Sequence, residues 1–378
     1  IGDFYYAPPS GFLALCTSNL PDPVETIDPA QGGSPQDYFN TVLYTGNGAD
    51  NHAISGVGFQ PDWVWMKSRN NARSHALVDS VRGRGSILYT DLTNVQEVPA
   101  ASNNDLVSFD TDGFTVGTPE RAGSTNTNND TIVAWNWKAG TSFSNDASST
   151  SVGSLDSSGT VNTDVGFSII KWTAVASSAT QTMAHGLGVI PKMIIMKNRE
   201  RAVDWAVYHE SIGNTHGLEL NTTDASADDS GWWNDTTPTS TVFTTGNGNG
   251  YRTGGVAEDY IAYCFAEVDG YSKFGSYTGN GNADGSFVYT GLRPAWVIIK
   301  PITNETGWRI YDSKRLGYNV NNIAQYANDS GASDASANHI DLISNGFKMR
   351  RNNVSNTSGV TYIYMAFAEQ PFKYANAR

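Results

Sequence analysis

Apolar residues along this chain come in short runs, separated by clusters of Gly, Asn, Ser, Thr and Asp, which is the pattern of strands joined by turns. One run occurs three times: Pro61-Asp62-Trp63-Val64-Trp65-Met66-Lys67, Pro191-Lys192-Met193-Ile194-Ile195-Met196-Lys197 and Pro294-Ala295-Trp296-Val297-Ile298-Ile299-Lys300. A Gly stands three residues before each Pro (Gly58, Gly188, Gly291) and a Lys six after it. A strand with one face in water alternates apolar and polar residues, and these do not, so both faces have to be covered. The cover is either a long loop of the same unit or an adjacent unit or subunit.

The marker strand sits at the centre of a unit that the sequence carries in three diverged copies. Each copy ends in a closing strand: Thr131–Trp137, Asp259–Phe265 and Thr361–Phe367. Pro61 to Ala134, Pro191 to Ala262 and Pro294 to Ala366 are 73, 71 and 72 residues apart, a spacing chance similarity would not keep. Thr45-Gly46-Asn47-Gly48 recurs as Thr278-Gly279-Asn280-Gly281, and hairpins are expected at Asp112-Gly113 and Asn345-Gly346. The expected architecture is all-β: three tandem β-sandwich-like repeats of about a hundred residues, over 38–140, 164–270 and 271–378, the last with a C-terminal tail. Residues 141–163, rich in Ser, Thr and Gly, read as a linker or long surface loop. Residues 1–37 read as an extended Pro-rich arm in which only 11–17 can pair as a strand.

Composition narrows the function by exclusion. Lys+Arg 24 against Asp+Glu 37 leaves a net charge of −13, which opposes nucleic-acid binding and docking on anionic lipid. No apolar run is long enough for a membrane helix, so no membrane partner is expected. The chain starts at Ile1 with no signal-peptide pattern, so an upstream piece is expected to be missing or removed. The two cysteines, Cys16 and Cys264, lie far apart and make neither a disulfide framework nor a cysteine zinc site.

Candidate chemistry is sparse. Six histidines occupy no repeated position and form no metal motif, Asp110-Thr111-Asp112-Gly113 is better read as a turn than a calcium loop, and no nucleophile elbow or phosphate loop is present. No cofactor, metal or catalytic residue is therefore assigned. Lys67, Lys197 and Lys300 are expected to end their strands paired with acids such as Asp79 and Asp312. Trp232, Trp233, Asn234 and Asp235 form the candidate glycan surface, since indole faces stack on sugar rings and polar neighbours bond hydroxyls, against the alternative of a Trp pair folded into the sandwich. Phe12, Leu13 and Leu15 of the arm, with Trp63 and Trp65, are the candidate assembly interface.

Four stretches carry a resemblance: the arm segment Tyr5–Pro21, the motifs Gly58–Val64 and Ile132–Gly140, and the ending Ala366–Arg378. They resemble tail-fibre-like virion proteins of environmental bacteriophages, in which such β-rich repeats follow a concanavalin-like or SPRY-like domain. The resemblance implies a non-enzymatic virion-surface or extracellular protein, a homo-oligomer or polymer that touches host-surface glycan or neighbouring subunits. A filament subunit polymerised through the arm is the alternative reading, and a glycan-degrading enzyme the third.

Overall fold

A computed structural model describes residues 19–98, 101, 104–119, 125–176, 180–246, 252–317, 319–336 and 339–375. The chain is nearly all β, in antiparallel sheets, with one four-residue α-helix among the described residues. Three large sheets dominate. Sheet I runs Phe39–Thr45, Thr131–Trp137, Trp63–Ser68, Ala76–Asp79, Leu88–Tyr89 in lateral order. Sheet III repeats that order with Ser272–Thr278, Thr361–Pro371, Leu292–Pro301, Arg309–Asp312 and Gln325–Tyr326. Sheet II places Phe167–Thr173, Asp259–Phe265, Met193–Asn198, Ala206–His209 and His216–Glu219 likewise, and extends to eight strands. A small sheet of two or three strands lies against each large one.

The doubly apolar marker strands explain the layering. On one face, Val64 and Met66, Ile194 and Met196, and Val297 and Ile299 pack in three separate cores, with small-sheet residues such as Phe114, Phe243 and Phe347. Their other faces, Trp63 and Trp65, Met193 and Ile195, Trp296 and Ile298, all enter one central core shared by the three large sheets. The covering of the second face is thus the other two sheets of the same chain. Trp63 and Trp65 are 0% exposed, so they hold the chain's own interior together and are not an assembly interface. Phe12, Leu13 and Leu15 lie outside the described residues.

Aromatic rings fill this centre. Trp63 lies 4.9 Å from Tyr263 of sheet II, Trp137 5.5 Å from Trp296 of sheet III at 90°, and Phe265 6.0 Å from Phe367. The indole N–H groups of Trp63, Trp137 and Trp296 have no oxygen partner, leaving ring faces as the acceptors at hand. Ile27 closes one end: the described part of the N-terminal segment folds into three 3-10 turns, started by Pro29 and Pro35 and capped by Asp28 and Ser34, and buries Ile27 completely in the shared core. Lys373 reaches back to Leu20 and Asp22, bringing both described ends of the chain together.

Two expectations need correction. Residues 141–163 are not a bare linker: Thr141–Asn145 and Ser157–Asn162 add two strands to sheet II, because Thr and Val suit an exposed ladder even where little is buried. In sheet III the residue opposite Ile299 is Tyr364, as Ala134 is opposite Met66 and Ala262 opposite Met196, so Ala366 is two positions off the register its spacing suggested. Irregular pairing at Arg293 and Pro294 accompanies that shift. The Asp112-Gly113 and Asn345-Gly346 hairpins form as expected; Gly113 has φ +141 and a Cβ there would lie 2.0 Å from the Ile54 carbonyl oxygen, so no larger residue fits.

Candidate functional site

The residues that recur along the chain turn out to be spent on joining the sheets. His75, Trp205 and Trp308 each precede the strand next to the marker strand. Their ring nitrogens meet the backbone carbonyls of Tyr326 at 2.7 Å, Tyr89 at 2.9 Å and Glu219 at 2.8 Å. Each contact crosses to a different sheet, I to III, II to I, III to II, so the set closes in a ring. A second set runs between the same neighbours: the N–H groups of Ser333, Gln96 and Ser226 donate to the carbonyls of Arg69, Arg199 and Ile302, each eight residues after its marker Pro. A third joins Tyr263 to Asp79 at 2.7 Å, Trp135 to Asp312 at 3.0 Å and His209 to the Tyr364 carbonyl at 3.1 Å. Closed head-to-tail contacts of this kind are what a cyclic trimer makes between subunits.

Asp79 and Asp312 are therefore occupied: each accepts from the Arg three residues later, Arg82 or Arg315, at 2.5 Å with both side chains buried. The marker-strand lysines do not pair with them. Lys67, Lys197 and Lys300 are fully buried and donate to backbone carbonyls: Ser68; Asn198 and Arg201; Thr223, Asp224, Pro301 and Thr306. Burial lowers them to about 8, 7 and 8 respectively, since desolvation disfavours the ammonium form. An ammonium with three donors suits a strand end where several carbonyls converge, and no carboxylate is required.

The proposed sugar-stacking pair is also inside. Trp232 and Trp233 are 3% and 1% exposed and belong to the outer core of sheet II. Trp232 lies over Gly217, where a Cβ would fall 2.2 Å from the indole, and Trp233 donates to the His216 carbonyl and packs edge-on against Tyr208. No face of either ring is left to stack on a ligand. Asn234 and Asp235 are exposed, both at positive φ in the turn that follows.

What remains is a groove that sequence reasoning missed. It is an open cleft of about 810 Å³ over the extension of sheet II. Its floor is a lateral row: Ser144 pairs with Ser158, and Ser158 with Lys171. The next residue across, Ile261, faces the shared core, so the row begins where that core ends. A second row lies two residues along the strands. Thr173 is opposite Asp259, and Asp156 and Asp146 stand just beyond the paired ends. Asp259 accepts from Thr173 at 2.7 Å and from Arg199 at 3.2 Å; Asp156 accepts from the Ala147 N–H at 2.8 Å. Hydrogen bonds from the Ser148 hydroxyl and Ser149 N–H hold the Asp146 carboxyl below its usual range, making it an acceptor and not a proton donor. Among the described residues no group of three His, Cys, Asp or Glu side chains could hold a metal ion, and no helix is long and apolar enough to cross a membrane.

No curated protein and no solved structure matches the chain. A family model described as a domain of unknown function, DUF7483, matches residues 34–371, from the last 3-10 turn before sheet I to the end of the final strand of sheet III. That span takes in all three large sheets and the core they share, and the chain belongs to the DUF7483 family.

Proposed function

We propose that the chain consists of three tandem copies of one β-sandwich-like unit, closed on themselves as a trimer would be, and that it is a structural and adhesive module. In this reading it is part of a phage tail fibre or a related virion-surface or extracellular appendage, it assembles with copies of itself, and it contacts host-surface glycan without catalysing a reaction. The observation that carries the reading is the ring of equivalent contacts among the sheets, made by His75, Trp205 and Trp308. It consumes the repeated polar residues in rigidity, which is what a load-transmitting appendage needs and an active site does not. The resemblance of Gly58–Val64 and of the C-terminal residues to tail-fibre-like proteins supports the same reading.

The purified chain, incubated with a panel of bacterial surface polysaccharides, is expected to be retained on some of them without releasing reducing ends, and to sediment as an oligomer. Release of reducing ends would replace the adhesive reading with a hydrolytic one. A strictly monomeric chain retained by no polysaccharide would overturn the proposal.

A further inference from the structure

We infer that the groove on the extended edge of sheet II binds a neutral, extended oligosaccharide laid across the strands; this rests on the adhesive reading above and names its site and ligand class. Three observations carry it. First, the floor row offers Ser144 Oγ, Ser158 Oγ and Lys171 Nζ, none of which has a hydrogen-bond or ion-pair partner among the described residues. Most other lysines of the described chain are engaged, either with carbonyls or with acids such as Glu210, Glu267 and Asp284.

Second, the row has a pitch. Neighbouring strands lie about 4.8 Å apart, close to the advance of one pyranose along an extended glycan. A chain lying across the strands would meet one unspent polar group per sugar. The parallel row of Asp259, Thr173, Asp156 and Asp146 supplies acceptors along the other edge of the same chain. A carboxylate has about four lone-pair sites, so the single bond that Asp156 accepts leaves room for sugar hydroxyls.

Third, charge selects among glycans. The groove holds three carboxylates against Lys171 and Arg199, and Arg199 already serves Asp259 and Gln96. With a net charge of −13 on the whole chain, a polyanion is repelled and a neutral chain is not. The two added strands also contribute little core, with Thr141, Ser142 and Ser144 exposed, so their outer surface is what they add.

The test uses the full chain in affinity electrophoresis against neutral polysaccharides (dextran, mannan, a galactan) and acidic ones (alginate, polygalacturonate). Retention by at least one neutral polysaccharide is expected. Ser158→Trp, which fills the row, should weaken it about tenfold or more, and Lys171→Met several-fold, with the melting temperature unchanged; a tenfold loss is about 1.4 kcal/mol. If Ser158→Trp does not fold, Lys171→Met reads the same row with a smaller change. Neutral retention that both variants leave intact would overturn this site while sparing the adhesive reading. Retention by acidic polysaccharides alone, or by none of the five, would overturn this site and its ligand class, while the adhesive reading falls only if the bacterial surface polysaccharides are not retained and the chain is strictly monomeric.

Discussion

The corner where sheets II and III meet differs from the other two corners, and the difference teaches how a buried charge can be lost. At two corners an Asp and an Arg three residues later form a fully buried pair, Asp79 with Arg82 and Asp312 with Arg315. Each Asp also accepts from an aromatic side chain of a neighbouring sheet, Tyr263 or Trp135. At the third corner the same two positions are His209 and Ile212. The His209 Nδ1 accepts from the Ser211 N–H at 3.1 Å, so its Nε2–H is left to donate to the Tyr364 carbonyl. The ring is neutral, with burial lowering it to about 4. Both members of the ion pair have been replaced together, and no unpaired charge is left behind. A buried pair is often exchangeable for packed neutral groups, whereas removal of one partner is not tolerated.

That comparison can be broken by mutagenesis. Asp312→Ala strands Arg315 and leaves the Trp135 N–H without its acceptor, and should cost about 3–5 kcal/mol in urea unfolding. The double change Asp312→His with Arg315→Ile removes both charges as at the third corner but leaves the Trp135 N–H facing a ring N–H, and should cost less than the single change, about 2–3 kcal/mol. Equal losses for the two would mean that the corner does not work as a unit.

Sheet II carries a second local solution, Trp232 seated on Gly217. Gly217→Val should displace the indole and cost about 1–3 kcal/mol by overpacking. Near-UV circular dichroism of the variant should lose part of its tryptophan signal.

The neutral His209 sharpens the comparison through pH. Its folded value lies below the unfolded value near 6.5, so between about pH 6.5 and 4 the unfolded chain binds a proton that the folded chain refuses. The stabilisation is fully present above pH 6.5 and is lost as pH falls toward 4, at no more than about 1.4 kcal/mol per unit. His185, also lowered to about 4, acts in the same sense. A pH series of urea midpoints should show a shallower acid slope for His209→Gln than for the parent chain, and a steeper one for the double variant that installs a second such His. The smallest effect is expected at the exposed groove: Lys171→Met should change stability by less than about 0.5 kcal/mol.

Much of the layering was legible because an apolar residue at consecutive strand positions has one physical meaning. Trp63-Val64-Trp65-Met66 had to be covered on both sides, and the all-β class and the hairpins at Gly113 and Gly346 followed from alternation and turn chemistry. The sequence could not say what did the covering, since that depends on contacts such as Trp137 with Trp296, 159 residues apart and on different sheets. Lys67 misled because backbone carbonyls, its actual acceptors, are present at every residue and leave no trace in composition. Trp232 and Trp233 misled because their polar neighbours suggested exposure, while the missing side chain at Gly217 that admits the ring stands 15 positions away. The groove was missed because residues 141–163 bury little. The Thr and Val content around Thr160 and Val161 was the signal that could have marked a strand there.

The account rests on one shared core holding three sheets as a single body, and differential scanning calorimetry of the full chain tests it most directly. The predicted result is one transition whose calorimetric and van't Hoff enthalpies agree, abolished as a whole by Trp137→Ala at a temperature where the parent is folded. Two or three resolved transitions, with Trp137→Ala shifting only one of them, would contradict it.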